Sequence, residues 1–289
     1  MTNSILRFEK HIKVSQEKGV AIDLLAVETA LSKQKIKQVM LKGAVWLTKG
    51  KHTQRLRRAK RVIKLGETLH IYYDPKVLEM IPPEPELIFD QGRYSVWNKP
   101  YGMLSQGSKW GDHCTLTRWA EQHLSPQRVS FVVHRLDRAA NGLIIIAHEK
   151  GAAAALSTLF QQRKVDKRYQ IWVHGQFSVE ATSTKPIKVD SDIDGRHAIS
   201  YFTFIKYDAQ NNRSLVDVRI DTGRKHQIRR HSALLDFPVI GDRMYGNQND
   251  KEDLQLMAYS LAFTCPYTHN DQQFNLLEEK LVSERNVIP

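Results

Sequence analysis

The chain has 289 residues, more than one compact domain usually contains, so we expect two domains. Its 43 Lys and Arg against 31 Asp and Glu give a formal charge of +12, which favours a polyanionic partner such as a nucleic acid. The two cysteines are far apart, which argues against a disulfide framework and a cysteine metal site. Residues 1–14 contain no apolar signal core and no apolar run approaches ~18 residues, which argues against secretion and a membrane span. These features predict a cytoplasmic protein.

The first predicted elements are two helices that begin after residue 20. An apolar stretch predicts a helix over Ala21–Leu31. Ser32 is a typical N-cap for a second helix over Lys33–Lys42, which Gly43 ends. Two short strands are predicted after them, at 45–47 and 69–72.

Between these strands the sequence is strongly basic. Residues 49–64 hold eight Lys or Arg and no acid. Such a run is usually a solvated surface, but the pattern over Val20–Asp74, with LSKQKIKQVMLKGAVWL followed by LGETLHIYY, resembles the S4 RNA-binding domain. The resemblance implies RNA contacts by basic residues of this domain. The candidates are Lys35, Lys42, Arg55, Arg57, Arg58 and Arg61.

A proline-rich segment interrupts the pattern between Asp74 and Glu86, a composition that disfavours helix and strand alike. The sequence therefore predicts a small N-terminal α/β domain at 1–75, a linker at 76–86 and a larger domain at 87–289. Strands of the larger domain are predicted at 94–98, 129–134, 143–147, 168–173, 199–207 and 215–220, and helices at 152–160 and 226–235. Without regular βαβ alternation or a G-x-G-x-x-G motif, a dinucleotide fold is disfavoured, and the predicted class is α+β with a mixed, largely antiparallel sheet and flanking helices.

An acidic residue flanked by arginines stands out in this domain. Asp137 lies between Arg135 and Arg138 in H-R-L-D-R, after an apolar strand and before a predicted turn at Asn141-Gly142. Most such aspartates form turns. Nearby guanidinium groups would, however, hold this carboxylate ionised, which suits nucleophilic attack on an anomeric carbon.

Two further segments carry candidate functional residues. In the segment Asp221–Gly246, Gly223 is expected to give a turn its backbone freedom, and the following helix start is so rich in cations that it indicates an anion site. In K-R-Y-Q-I-W-V, Tyr169 lies on the apolar face of a strand. By itself a tyrosine there is usually a core residue.

Together these segments resemble the RluA family of pseudouridine synthases. The motifs H-R-L-D-R, K-R-Y-Q-I-W-V and T-G-R-K-H-Q-I-R occur in order, preceded by N-K-P-Y-G-M-L-S-Q and followed by L-M-A-Y-S-L-A-F-T-C-P, so the resemblance spans about 86–266. It implies an enzyme that isomerises uridine to pseudouridine in RNA without a metal or another cofactor. Ribosomal RNA is expected more than transfer RNA, and no oligomeric state is predicted.

The resemblance also implies a role for each matching residue. Asp137 would be the catalytic aspartate, acting either by attack on C1′ or by removal of the C2′ proton. Arg229 would pair with Asp137 by parallel hydrogen bonds, Tyr169 would stack on the target uracil, and Arg135 would fill the place of the flipped nucleotide. Further RNA contacts are expected from Arg138, Arg224, Lys225 and His226.

The sequence departs from the family pattern at two places. Ala140 and Asn141 replace the usual Thr-Ser, and Met257 replaces a histidine. Two other functions remain open at this point. Glycoside hydrolysis normally needs a second carboxylate, which the Asp137 motif does not supply. A non-catalytic S4-type RNA-binding or ribosome-assembly protein would have no use for a carboxylate paired with Arg229.

Overall fold

The computed structural model describes residues 7–15, 19–177 and 185–276. The first six residues of the N-terminal stretch in which no signal core is expected lie outside this part. The chain forms two compact units, Met1–Pro83 with Gln106–Gln127, and Glu84–Ser105 with Arg128–Pro289. The domain bounds 1–75, 76–86 and 87–289 stay a prediction. The segment Gln106–Gln127 belongs to the first unit, although these bounds assign it to the larger domain. Within the described residues, no helix is long and apolar enough to cross a membrane.

The first unit combines short strands with short helices. Its strands are β1 (Phe8–Lys13), β2 (Gly19–Val20), β3 (Val45–Lys49), β4 (His52–Arg55), β5 (Val62–Ile63) and β6 (Thr68–Tyr73). Its helices are α1 (Ala21–Thr29), α2 (Lys33–Leu41), α3 (Pro75–Leu78) and α4 (Leu116–His123). An antiparallel sheet runs in the order β1-β6-β3-β4, and β2 pairs with β5. Its core is formed by apolar residues from both helices and strands, including Leu25, Ile36 and Ile71.

The helix ends of this unit follow from its capping residues. The Ser32 side chain accepts a hydrogen bond from the backbone N–H of Lys35, so the predicted N-cap of α2 is confirmed. The prediction that residues 74–86 disfavour helix is wrong at α3. There the Asp74 carboxylate caps the first turn and Pro75 occupies its first position, where no backbone N–H is needed.

The second unit is built on a ten-stranded sheet. Its strands are β7 (Glu86–Asp90), β8 (Tyr94–Lys99), β9 (Phe131–Val132), β10 (Asn141–Ala147), β11 (Val165–His174), β12 (Ile187–Ile193), β13 (Arg196–Asp208), β14 (Arg213–Ile220), β15 (Leu256–Thr264) and β16 (Asp271–Asn275). The order is β12-β13-β14-β11-β15-β10-β8-β7, with β16 beside β15 and β9 beside β10. Two helices flank it, α5 (Lys150–Gln161) and α6 (Gln227–Leu234). The predicted mixed, largely antiparallel sheet is confirmed, since β10–β15 is parallel and the other described pairs are antiparallel.

The parallel pair places two functional segments side by side. Asn141 pairs with Met257 and Gly142 with Ala258. The predicted turn at Asn141-Gly142 is therefore wrong, because both residues begin β10. Gly142 has φ +113°, and a Cβ there would lie 2.3 Å from the Ala258 carbonyl oxygen, so only glycine allows this close approach.

Candidate active site

The loop that carries Asp137 connects β9 to β10 and is held by hydrogen bonds from both sides. The Ser105 hydroxyl donates to the Leu136 carbonyl at 2.7 Å and accepts from the Leu136 N–H at 3.1 Å. The fully buried Lys99 ammonium donates to the carbonyls of Ala140, at 2.6 Å, and Met103, at 2.9 Å. The Asp137 backbone is thus fixed one residue after its first anchor and three residues before its second.

His134 anchors the start of the same loop. Its Nε2 accepts a hydrogen bond from the backbone N–H of Ile145 at 3.0 Å, and its ring stacks on Phe160 with centroids 4.3 Å apart. Burial lowers the pKa of His134 to about 3, with a smaller contribution from Lys167. The neutral imidazole therefore ties the H-R-L-D segment to the middle of β10.

The side chains that face Asp137 come from α6 and from the residue before it, and not from its sequence neighbours. Arg229 Nη1 lies 3.6 Å and His226 Nε2 lies 3.7 Å from Asp137 Oδ2, and the Asp137 side chain is one-third exposed. Arg135 is exposed, and Arg138 Nε donates to the Gly102 carbonyl. The expectation that these two neighbours hold the carboxylate ionised is corrected, since the described partners are Arg229 and His226.

Arg229 makes its parallel hydrogen bonds with a different carboxylate. Its Nε and Nη2 each donate at 2.7 Å to the two oxygens of Asp242, whose side chain is fully buried. Burial alone would raise the pKa of Asp242, but the Arg229 guanidinium and two backbone N–H groups hold it below its usual value. The expected parallel pairing with Asp137 is therefore wrong, and only the remaining Nη1 faces that residue.

Gln227 fixes the turn that leads into α6. Its Oε1 accepts from the Thr222 hydroxyl at 2.8 Å and from the Arg224 N–H at 3.0 Å. Its Nε2 donates at 2.9 Å to the Ile199 carbonyl on β13. The left-handed residue of this turn is His226, with φ +55°, and not Gly223 as expected.

Tyr169 lies on β11 and is almost fully buried. A register shift between Arg168 and Tyr169 bends the strand at this point. Burial raises the pKa of Tyr169, and the nearby charge of Asp137 raises it further, so the phenol is neutral. Its ring is therefore an uncharged surface beside the candidate catalytic carboxylate.

A cavity of about 110 Å³ brings these groups together. It is lined by Arg135, Leu136, Asp137, Ala140, Tyr169, Ile220, Gly223, Arg224, His226, Gln227, Ile228, Arg229 and Leu256. Its volume is well below the ~300–1,000 Å³ of clefts that bury drug-sized ligands, so it suits a single flat ring. Arg138 and Lys225 do not line it; Lys225 is exposed on the surface beside His226.

The six candidate RNA contacts of the first unit divide into two groups. Arg55 and Arg57 form ion pairs with Asp112, and the Lys42 ammonium donates to the Leu78 carbonyl. These three cations hold the unit together. Arg58 and Arg61 are exposed and Lys35 is half-buried, so this second group remains accessible to a ligand.

Three residues of the site escape the sequence analysis. Asp242 and Tyr245 lie in G-D-R-M-Y-G, whose role becomes visible only when the chain folds back to α6. Gln227 is part of a quoted motif, but a glutamine with four hydrogen bonds, three of them buried, resembles any surface glutamine in sequence. A signal for Asp242 was available, because an acid after Gly241 in an apolar stretch needs a buried partner.

Comparisons with known proteins agree on one family. The profile of the RNA pseudouridylate synthase family matches residues 93–234. The chain is 32% identical to the dual-specificity RNA pseudouridine synthase RluA of Vibrio vulnificus over 219 residues, covering 67% of this chain and 84% of the relative. It is 26% identical over 284 residues to an uncharacterised RNA pseudouridine synthase of Mycoplasma pneumoniae, covering 90% of this chain and 89% of the relative.

Solved structures show the same fold. The human RNA pseudouridylate synthase domain containing 1 is 19% identical, with a TM-score of 0.57 over 70% of this chain and 89% of that chain. The human RNA pseudouridylate synthase domain containing 4 is 21% identical, with a TM-score of 0.53 over 68% of this chain and 90% of that chain.

Proposed function

The chain belongs to the RNA pseudouridine synthase family, and from that premise we propose that Asp137 performs the isomerisation of uridine in its RNA substrate. The carrying observation is that Asp137, Tyr169 and Arg229, from three separate segments, line one cavity of about 110 Å³. The reaction breaks the N1–C1′ bond, turns the uracil over and joins C5 to C1′, while the proton leaves C5 and N1 gains one. It needs a carboxylate at the sugar and a surface that holds the freed base.

The surroundings of Asp137 support this role. Arg229 Nη1 and His226 Nε2 lie within 4 Å of one carboxylate oxygen, so two side chains are available to orient it. The proposed role covers attack on C1′ and removal of the C2′ proton, since a carboxylate can perform either step. Glycoside hydrolysis is less well supported, because it needs a second acid. Asp242, the other acid near Arg229, is fully buried and already paired with that arginine.

Tyr169 and Arg135 would handle the base. A neutral phenol ring on the cavity wall offers a stacking platform for uracil in either orientation, as the rotation requires. A base inside a stack cannot turn over, so the nucleotide must first be extruded. Arg135 would stack in the gap that extrusion leaves, and its exposure and its position in the cavity lining support this role.

We further propose ribosomal RNA as the substrate, in the cytoplasm, with the first unit acting as an S4-like RNA-binding domain. Support comes from the helix–helix–strand order of that unit and from its accessible cations Lys35, Arg58 and Arg61. A purely RNA-binding or ribosome-assembly function is not favoured, because it leaves the Asp137 cavity without a purpose.

The test of activity and substrate uses cells that lack this protein. Expression of the parent chain should restore pseudouridine at a site in ribosomal RNA, and Asp137→Asn should not, with less than about a hundredth of the parent rate in purified form. RNA affinity should change little, since it is spread over many phosphates. Asp192→Asn, an exposed change outside the cavity, is the matched control. Restoration only in transfer RNA would overturn the substrate, and activity of Asp137→Asn would overturn the mechanism.

The test of the first unit is the salt dependence of RNA binding. Replacing Lys35, Arg58 and Arg61 by alanine should reduce the slope of log affinity against log salt by roughly 2, since each lost phosphate contact contributes about 0.7–0.9. The same replacement of Lys150, Arg196 and Lys251, exposed residues of the second unit, is the control. An unchanged slope in the first variant would show that these three cations are solvated and do not contact RNA.

A further inference from the structure

His226 faces into the cavity and contacts two residues there. The residue precedes α6 with left-handed backbone angles, and its side chain is 15% exposed. Nε2 lies 3.7 Å from Asp137 Oδ2, and Nδ1 lies 3.0 Å from the Tyr245 hydroxyl. The sequence predicts a surface contact to RNA for His226, but the imidazole is held between two side chains of the site.

The two contacts determine where the imidazole proton sits. Burial holds the pKa of His226 below its ordinary value, so the ring is neutral and carries one proton. Asp137 opposes this shift, whereas the positive charges of Arg229 and Lys225 reinforce it. A lone pair on Nε2 would face a carboxylate, so the proton belongs on Nε2. Nδ1 is then an acceptor, and the Tyr245 hydroxyl donates to it.

Tyr245 is itself fixed by the residue that fixes Arg229. Its backbone N–H donates to Asp242 Oδ1 at 3.1 Å, and its ring centre lies 5.1 Å from the Arg229 guanidinium carbon. Asp242 therefore orients both groups that converge on Asp137: Arg229 directly, and His226 through Tyr245. A Cβ at Gly241 (φ +79°) would lie 2.3 Å from the Asp253 backbone, so the turn that carries them is tightly constrained.

Both convergent groups approach the same oxygen of Asp137, Oδ2. We propose that Tyr245 and His226 are positioning residues for Asp137: the tyrosine hydroxyl keeps the imidazole proton on Nε2, and Nε2–H and Arg229 Nη1 face Oδ2 from 3.7 and 3.6 Å, so that Oδ1 is the oxygen presented to the sugar. This inference rests on the proposed role of Asp137. It adds the residues that select which oxygen reacts.

The first experiment reads the tautomer directly by nitrogen NMR of the full-length protein with labelled histidine. His226→Gln identifies the His226 signals by their loss. At pH 7.5 the parent should show protonated Nε2 and unprotonated Nδ1. Tyr245→Phe should show a mixture of both tautomers, and Tyr259→Phe, which removes a hydroxyl bound to Asp217 outside the cavity, should not change the signals. A parent protonated on Nδ1 would overturn the proposal.

The second experiment compares side chains that keep or lose the donor. A glutamine amide reaches the position of Nε2, whereas an asparagine amide reaches only that of Nδ1. His226→Gln should therefore keep most of the single-turnover rate, and His226→Asn and Tyr245→Phe should each lose about tenfold at unchanged RNA affinity. Equal rates for all three variants, or a loss in affinity for RNA instead of rate, would show that His226 is only an RNA contact and overturn the proposal.

The two experiments separate this inference from the proposed function. A parent protein that makes no pseudouridine would refute the function, while the NMR signals would still report the tautomer. An active parent with the wrong tautomer would refute the positioning role alone.

Discussion

Arg229 connects two carboxylates with one guanidinium group. Two of its nitrogens bond Asp242 and the third faces Asp137, so its planar group serves two carboxylates in two directions. Arg229→Lys keeps the charge but cannot make these contacts together. We expect it to lose most of the single-turnover rate, by about 100-fold or more, because the orientation of Asp137 is lost.

The control for this prediction is Arg230→Lys, one residue further along α6, where the arginine pairs with the exposed Asp194. That variant should retain the parent rate, since an exposed pair contributes little. If Arg229→Lys were as active as the parent, the contacts of the guanidinium with Asp242 and Asp137 would have no part in catalysis.

The residues that depart from the family pattern meet in the folded sheet. Asn141 and Met257 are far apart in sequence but directly paired on β10 and β15. The Ala140 carbonyl accepts a hydrogen bond from the Lys99 ammonium, and the Ala140 side chain takes no part in that bond. The departures therefore lie beside the loop that carries Asp137 and leave its anchors in place.

The loop that carries Asp137 depends, as an element, on a neutral histidine. His134 has a pKa of about 3 in the folded chain and about 6.5 when unfolded. Between these values the unfolded chain binds a proton that the folded chain does not, so stability present above pH ~6.5 is lost as the pH falls toward 3. His134→Gln should therefore flatten the acid side of the stability curve, by up to about 1.4 kcal/mol per pH unit.

Urea unfolding between pH 7 and 4.5 measures this effect. The exposed His52→Gln is the matched control and should follow the parent. Parallel curves for His134→Gln and the parent would mean that the imidazole is not buried as a neutral acceptor for the Ile145 N–H.

Elements with strong periodicity are predicted well from the sequence. The strand predicted at 94–98 is β8, that at 143–147 lies within β10, and the helix predicted at 152–160 lies within α5. α4 and β12 were missed although Leu116, Trp119 and Ala120 follow helical spacing and Ile187, Val189 and Ile193 follow strand spacing, because these elements have only eight and seven residues and few apolar side chains. Asp137, Tyr169 and Arg229 were found by motif, whereas Asp242 and Tyr245 act through contacts that sequence spacing does not encode.

At the scale of the whole molecule, the first unit includes a segment that lies in sequence between the two parts of the second unit. Gln106–Gln127 belongs to it, with Asp112 bound to Arg55 and Arg57, and with Leu116 and Ala120 fully buried. Deletion of residues 1–83 would remove both arginine partners of Asp112. We expect the shortened protein to aggregate and to melt at least several degrees below a second form in which a Gly-Ser linker also replaces 106–127.

Size-exclusion chromatography and thermal melting compare the two forms. The second form should elute as a single species and melt cooperatively. Equal behaviour of both would mean that residues 106–127 fold without the N-terminal stretch, and that the first unit can be separated at residue 83.

The split composition of the first unit also bears on how such a protein can arise. A domain made of one continuous stretch can be joined to an enzyme by a single gene fusion. Here residues 106–127 lie inside the region 93–234 that the family profile matches, so part of the enzyme's own sequence completes its neighbour. A chimera that exchanged only residues 1–83 between two relatives would combine the four-stranded sheet of one parent with residues 106–127 of the other. Exchange of this unit alone therefore requires three crossovers, after residues 83, 105 and 127, so that matched partners such as Asp112 and its arginines stay together.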